Sequence, residues 1–285
     1  VTSDIIISFS QLDAFKQCPH KEQLAYRDRW TTAKDETTAA GRGTMWHKIL
    51  DAHYSAIKAD EDHEAATKAK FTEFRRAGKD PDTLDLLEWM YTGYLERYGR
   101  DEEWQILAIE HRAQVALRYP SGRRSRFILK MIIDLVVRDR NTNMIWLVDH
   151  KSHAVIPRDK ELDLDDQFGL YTWGLRQLGK KPFGSVYSTA RTKRNKVKPQ
   201  TLDERFDRHL MTRTDHELDT IAAEALATAR TMFGPHNYGE RHTNSDTCRW
   251  RCDFTEACLI GRKQGPERER RFLLDVGFKQ DYTRH

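Results

Sequence analysis

The chain has 285 residues, enough to bury a full core as one large domain or two small ones. Charged residues make up 32%, the formal net charge is +4, and no apolar run is long enough to cross a bilayer, which excludes a helical membrane protein and permits, without demanding, a nucleic-acid partner. Ile5-Ile6-Ile7 is too short for the apolar stretch of a leader and lacks a basic flank, so a cytoplasmic protein is expected, in which four cysteines serve more readily as metal ligands than as disulfides.

Ser10 to Trp30 is predicted as two short helices, with Ser10 at the N-cap and Leu12, Phe15, Leu24 and Tyr26 at apolar positions. Cys18-Pro19 sets a corner between them, because proline disfavours helix in the residue before it. Alone, Cys18 reads as a small residue at a bend. Thr31 to Arg42 is predicted as a polar loop. Gly41-Arg42-Gly43-Thr44 then opens a helix with Met45, Trp46, Ile49, Leu50 and His53 near one face and His47 in its first turn. His47 by itself is an ordinary helix histidine. Helices are expected to continue to Arg100: His63 to Arg76 is charged and expected to be solvated, and Pro81 suits the first turn of the next helix, which runs through Leu84, Leu87, Trp89, Met90, Tyr94 and Tyr98. They carry no recognisable chemistry.

From Trp104 the character changes. Gln105 to Arg118 alternates in part, Tyr119-Pro-Ser-Gly-Arg-Arg is a turn, and Phe127 to Val137 is a strongly apolar strand holding one acid, Asp134. A lone carboxylate in a central strand is costly to bury, so Asp134 must be paired, bound to a metal, or set where the sheet opens. Asp139-Arg-Asn-Thr-Asn turns the chain into Ile145 to Ser152, a third strand, and the three predict an antiparallel meander. This last strand ends abruptly in Asp149-His150-Lys151. Side chains two apart on a strand share a face, so a carboxylate and an ammonium emerge side by side. An ion pair at a strand end is the plainer explanation; a hard-cation ligand beside a lysine that steadies an oxyanion is the chemical one.

Leu164 to Leu178 is predicted as an amphipathic helix with Gln167 and Tyr171 on one face. Gly184 to Arg191 is a further strand, so the helix forms a crossover. Arg191 to Lys198 is a basic loop, and Arg118, Arg123, Arg124 and Arg126 form a second basic cluster. Such runs are usually solvated, but Lys and Arg also hold phosphate backbones. Asp215 to Phe233 is an Ala-rich helix. Cys248, Cys252 and Cys258 follow closely, and with Cys18 they make one complete set of four, suited to structural zinc or an iron–sulfur cluster. The charged tail from Glu267 to Arg271 is expected to fray.

Taken in order, these pieces resemble the iron–sulfur-containing RecB-like nucleases of the PD-(D/E)XK superfamily, which include CRISPR-associated RecB-like exonucleases, the nuclease domain of AddB-type recombination subunits, and phage-encoded exonucleases. The resemblance rests on Ser10, Leu12, Cys18 and Pro19; Gly43-Thr-Met-Trp-His47; Ile133-Asp134-Leu135-Val136; Asp149-His150-Lys151; Gln167 to Tyr171; and Cys248, Cys252 and Cys258 with Trp250 and Phe254 between them. It departs from the family pattern at Met131, where the family often has a glycine that tightens the approach of DNA, and in a first cysteine gap of three residues rather than two.

The resemblance implies an α/β fold with a restriction-endonuclease-like αβββαβ core, a central mixed sheet flanked by helices. It implies a single nuclease domain made of an N-terminal helical region (1–103), a nuclease core (104–212) and a C-terminal helix with the cysteine segment (213–285). It implies a [4Fe–4S] cluster on Cys18, Cys248, Cys252 and Cys258, with zinc as the alternative. Asp134 and Asp149, with His47 and, less centrally, Glu110, would hold Mg²⁺ or Mn²⁺. Lys151 would position water or stabilise charge, and Gln167 and Tyr171 would hold DNA or the lysine. Arg123, Arg124, Arg126, Arg191, Lys193 and Arg194 would contact phosphates. The implied activity is a metal-dependent DNA exonuclease acting on single- or double-stranded ends in recombination, repair or phage DNA processing, in the host cytoplasm if phage-encoded, with room for a helicase or recombinase partner. The competing readings are a catalytically inactive or zinc-stapled DNA-binding accessory protein, which would not need Asp149-x-Lys151, and an RNA-directed nuclease, for which no recognition motif is present.

Overall fold

The computed structural model describes residues 3–32, 35–195, 197–234, 240–242, 245–250 and 252–282. In chain order these begin with β1 (Ile5–Ser8), α1 (Phe9–Gln17), α2 (Pro19–Glu22), a π-helical turn (Gln23–Arg27) and β2 (Trp30–Thr31). Three longer helices follow, α3 (Ala39–Lys58), α4 (His63–Arg76) and α5 (Pro81–Tyr98), and then three strands, β3 (Trp104–Arg118), β4 (Arg124–Asp139) and β5 (Ile145–His153). Next come α6 (Asp159–Leu162), α7 (Asp166–Gln177), β6 (Pro182–Arg191), α8 (Leu202–Arg205) and β7 (Phe206–Met211). The chain closes with α9 (Asp215–Met232), α10 (Ser245–Trp250), α11 (Thr255–Gln264), α12 (Pro266–Asp275) and β8 (Lys279–Gln280). No helix of the described residues is long and apolar enough to cross a membrane.

The chain divides into two units, one of residues 34–115 and 130–221, the other of 1–33, 116–129 and 222–285. The first unit carries the mixed sheet expected of the α/β fold, in the order β4-β5-β6-β7 with β3 on β4. β4 and β5 are antiparallel, with Leu135 opposite Val148. β5 and β6 are parallel, with Asp149 beside Tyr187. Parallel neighbours need a crossover, and α7 supplies it. β7 returns antiparallel on β6. Helices cover both faces: Tyr54 of α3 stacks on His150, while Phe168 of α7 packs edge-on against Tyr187.

Trp46, Ile49, Leu50, Leu87 and Met90 bury against Leu135, Val137, Val148 and Val186 in the main core of this unit. Each large apolar side chain so buried contributes about 1.5–3 kcal/mol. Two helix starts differ from the sequence expectation. α1 is capped by Ser8, whose hydroxyl accepts from Gln11 N at 3.2 Å, rather than by Ser10. α3 starts two residues before Gly41 because Thr38 caps it, accepting from Gly41 N at 3.1 Å, and His47 therefore sits in the third turn rather than the first. Met131 is fully buried and faces Gly174, where a Cβ would lie 2.6 Å from its sulfur; it is three residues from Asp134 and so on the opposite face, within the core.

His53 is buried in the same core, its Nδ1 3.0 Å from Tyr91 Oη. Burial, then His63 and Arg208, pull its pKa from 6.5 to about 3. Below pH 6.5 the unfolded chain takes up a proton that the native state refuses until about pH 3, so the native state loses stability as pH falls through that window. The full slope for one such group is about 1.4 kcal/mol per pH unit. His53→Gln should flatten the fall in urea midpoint between pH 6 and pH 4; an unchanged slope would show that His53 is already protonated in the fold.

The second unit is built around Leu24, Trp30, Phe254, Ala257, Leu273 and Phe278. β1 pairs with β4, and β2 pairs antiparallel with β8 through Trp30 and Gln280. Pro19 takes the N1 position of α2, directly after the extended corner at Cys18. The tail expected to fray instead forms α12: Leu273 is fully buried in the core, and Glu269 lies buried between His20 and Arg241. Its hydrophobic face is narrow, and the buried glutamate made it read as a solvated charge run.

Candidate active site

Three elements of the sheet unit converge. The register that sets Leu135 opposite Val148 carries one step further to set Asp134 beside Asp149. α3 brings His47 down on this point, with Nδ1 3.1 Å from Asp134 Oδ2. The backbone N–H of His150 donates to the same oxygen at 2.8 Å. Burial opposes ionisation of Asp134, but His47 and His150 outweigh it and hold the carboxyl below its usual range. His47 in turn is raised, since Asp134 more than offsets its burial.

Asp149 is only 8% exposed. Burial, reinforced by the neighbouring Asp134 charge, pushes its carboxyl up against the pull of Lys151. Lys151 Nζ lies 2.6 Å from Asp149 Oδ2, a close charge-assisted pair. Although burial works against it, the Asp149 charge keeps Lys151 protonated with a raised pKa. Tyr171 lies near both groups and bonds Gln167, and burial followed by the Asp149 charge pushes its phenol up to about 12. The structure therefore brings together His47, Asp134, Asp149, Lys151, Gln167 and Tyr171.

Glu110 lines a cavity of about 20 Å³ with His47, Asp51, Tyr54, Asp134 and His150, room for about one water or one cation. It has a positive φ of 44° and pairs with Arg112 at 3.3 Å. Three neighbours escaped the sequence reading. Asp51 stands one helical turn after His47, and that spacing was a usable signal. Tyr187 enters through the parallel register with Asp149, and His153 Nε2 lies 2.8 Å from its hydroxyl; neither is visible before the strand pairing is known. His150 turns away from its flanking residues, with both ring nitrogens buried and unpartnered, and burial lowers its pKa to about 3.

The residues expected to contact phosphates are in mixed states. Arg124 is held by Asp4 through two bonds of 3.0 and 2.6 Å, and Arg194 by the carboxylate and carbonyl of Asp85. Arg123 and Arg126 lie over the rings of Tyr119 and Phe127. Lys193 is exposed and Arg191 half-buried. Lys196 of that loop lies outside the described residues.

All four cysteines are half-buried and none is in a disulfide. Cys18 is near enough to Cys258, and Cys248 to Cys252, to interact electrostatically. Cys18 Sγ lies 4.0 Å from the carbonyl of Glu240, and Cys248 Sγ 3.9 Å from that of His242. The Thr255 hydroxyl donates to the carbonyls of Cys248 and Cys252, tying their turn. Phe254 is buried beside them; the side chain of Trp250 lies outside the described residues.

Residues 6–259 match the family model described as the PD-(D/E)XK nuclease superfamily. No curated protein sequence is matched at a significant level. Among solved structures, a protein from Eubacterium rectale named as a candidate exonuclease is similar at 15% identity and a TM-score of 0.46, over 86% of this chain and 88% of that one. The structure of SSO0001 is similar at 9% identity and a TM-score of 0.32, over 84% of this chain and 89% of that one.

Proposed function

Because this chain belongs to the PD-(D/E)XK nuclease superfamily, we propose that it is a metal-dependent deoxyribonuclease, an exonuclease, centred on Asp134, Asp149 and Lys151. The observation that carries the proposal is the buried Asp149 carboxylate set beside a second carboxylate, Asp134, with the His47 imidazole 3.1 Å from one and the Lys151 ammonium 2.6 Å from the other. Two carboxylates set side by side in a buried place repel, and a hard divalent cation is the ligand that this oxygen-rich set fits. Asp134 and Asp149 would hold it, with His47 as a nitrogen donor that favours Mn²⁺ somewhat over Mg²⁺ and Glu110 from the cavity rim. When bound, the cation supplies a more acidic water and neutralises phosphate charge.

The chain's own groups do the rest. Lys151 points a fixed positive charge at the place where the phosphate gains negative charge. The Asp149 carboxylate keeps that lysine protonated and oriented. Tyr171, protonated and bonded to Gln167, can donate to a phosphate oxygen or to the attacking water. Arg124 and Arg194 are engaged within the chain, so Arg123, Arg126, Arg191 and Lys193 are the cations proposed for backbone contact.

The exonuclease assignment, a role in recombination, repair or phage DNA processing, and a helicase or recombinase partner are supported by the sequence resemblance alone. The same resemblance supports a [4Fe–4S] cluster on Cys18, Cys248, Cys252 and Cys258, and the donors suit it: four thiols, none in a disulfide, from segments far apart in sequence. Bound there, it would join the two ends of the chain and contribute stability. End-labelled linear DNA and closed circular DNA, digested with Mn²⁺, Mg²⁺ or EDTA, test the reading. Metal-dependent loss of linear DNA alone is expected. Cutting of circles would make the enzyme an endonuclease, and binding without cleavage under any metal would make it an inactive DNA-binding relative.

A further inference from the structure

We propose that His153, fixed in orientation by Tyr187, donates its Nδ1–H to a phosphate of the bound DNA strand next to the one that is cut, a neutral substrate-positioning contact on the same face as Lys151. The inference rests on the reading that Asp134, Asp149 and Lys151 cleave DNA, and adds to it the group that holds a flanking phosphate. Asp149, Lys151 and His153 alternate along β5 and so share a face. β5 and β6 run parallel, with Asp149 beside Tyr187 and His153 beside Arg191. Residues two apart on a strand stand roughly 6–7 Å from one another. The face therefore carries an ammonium, then an imidazole one step along, with Arg191 next to that imidazole on the neighbouring strand.

Tyr187 starts level with Asp149, yet its hydroxyl lies 2.8 Å from His153 Nε2. The side chain therefore leans along the sheet past Lys151, whose charge acts on both Tyr187 and His153. Tyr187 is 5% exposed, with Phe168 edge-on at 5.4 Å and Leu162 and Met211 packed around it. Its ring stacks on the His153 imidazole with 19° between the planes. The His153 carbonyl accepts from Thr192 N at 2.7 Å, so backbone and ring are both held. Burial pushes the Tyr187 phenol up to about 12, and the hydroxyl keeps its proton. Among the described residues His153 Nε2 is the one acceptor that this hydroxyl meets. Nε2 therefore accepts, and in the neutral ring the proton sits on Nδ1. Burial, then the Lys151 charge, holds His153 below its usual range, which keeps the ring neutral. His153 Nδ1 bonds to no described residue and is not buried. It is a donor with fixed direction, beside Lys151, and a phosphate oxygen is the acceptor that the proposed substrate brings to that face.

The test uses the full chain and short end-labelled oligonucleotides in which one phosphate at a time is replaced by a neutral methylphosphonate. Single-turnover cleavage with Mn²⁺ and binding in EDTA are both read. H153Q keeps an amide at the Nε2 position for Tyr187 but loses the Nδ1 donor. It should slow cleavage at low substrate about tenfold or more, the range for a hydrogen bond to a charged group. H153N sets its amide nitrogen at the Nδ1 position and should recover most of that loss. One methylphosphonate position that penalises wild type should cost H153Q nothing further, the sign of a direct contact. Nitrogen-15 NMR of the histidine rings, with His153 assigned by its loss in H153Q, should show the Nδ1–H tautomer in wild type. Y187F, which keeps the ring and removes only the hydroxyl, should give a mixture of tautomers. H153Q as active as wild type, the same methylphosphonate penalties in both, or the Nε2–H tautomer in wild type would overturn the proposal. If H153Q does not fold, H153N and Y187F identify the resonance and the wild-type tautomer decides. If wild type binds DNA and cleaves none, the nuclease reading fails, and the binding scan still decides the phosphate contact by whether H153Q loses one penalty. Wild type that neither binds nor cleaves DNA would overturn both.

Discussion

Lys151→Ala is expected to leave fold and DNA affinity in place and to slow cleavage about 10²–10³-fold, the loss typical of removing one charge-stabilising donor from a preorganised site. The ammonium stands 2.6 Å from Asp149 Oδ2 and is kept protonated by it. Alanine removes the positive charge and leaves Asp149 buried next to Asp134, which raises the Asp149 carboxyl further and weakens its hold on a cation. Most DNA affinity should survive, because phosphate contacts on the basic residues are untouched. Lys151→Arg should not restore the rate, since a planar fork does not occupy the place of a compact ammonium. Single-turnover cleavage with enzyme in excess, beside binding measured in EDTA, separates the two effects. Cleavage by the alanine variant at the wild-type rate would remove Lys151 from the chemistry.

Arg208→Ala is expected to cost about 3–5 kcal/mol of stability, the penalty for stranding a buried charge. Arg208, on β7, meets both oxygens of Asp101 at 2.5 and 2.8 Å and the Tyr94 hydroxyl at 3.0 Å. Asp101 is 9% exposed and also accepts from the Tyr54 hydroxyl at 2.6 Å. The guanidinium lies over the rings of Tyr98 and Trp104 at 3.6 and 4.1 Å. Without it the Asp101 carboxylate keeps, among the described residues, the Tyr54 hydroxyl as its side-chain donor. Tyr54 lies on α3, the helix that presents His47, so the same loss should loosen the site. Urea denaturation checks the magnitude; a loss under about 1 kcal/mol would class the pair with exposed salt bridges.

What could be read in the sequence followed from contrast. The run Ile145 to Val148 ends so sharply in Asp149-His150-Lys151 that the strand and the shared face of Asp149 and Lys151 could be read together. The helix from Pro81 through Tyr98 follows from its apolar spacing and from Pro81 at a first turn, whereas His63–Arg76 read as a solvated stretch although Phe71 and Phe74 bury in the core. Where charge is buried, the same reasoning runs out. β7, with Asp207, Arg208 and His209, has no pattern that singled it out, yet Arg208 completes a buried network. Glu269 in α12 was hidden in the same way, because its partner His20 lies far away in sequence. β1 is four residues long and was weighed only as a leader. Tyr187 and His153 join the site only through strand register, which no local pattern encodes.

The central claim is that Asp134 and Asp149 jointly hold a divalent cation. The most direct measurement is a Mn²⁺ titration of the full chain followed by electron paramagnetic resonance, with Asp134→Asn and Asp149→Asn beside wild type. Thiolate-rich ligand sets disfavour Mn²⁺, so the cysteine segment should not obscure the result. Saturable Mn²⁺ binding by wild type is expected, weakened at least about tenfold by each substitution while the chain stays folded. Equal binding by all three proteins, or none by wild type, would contradict it.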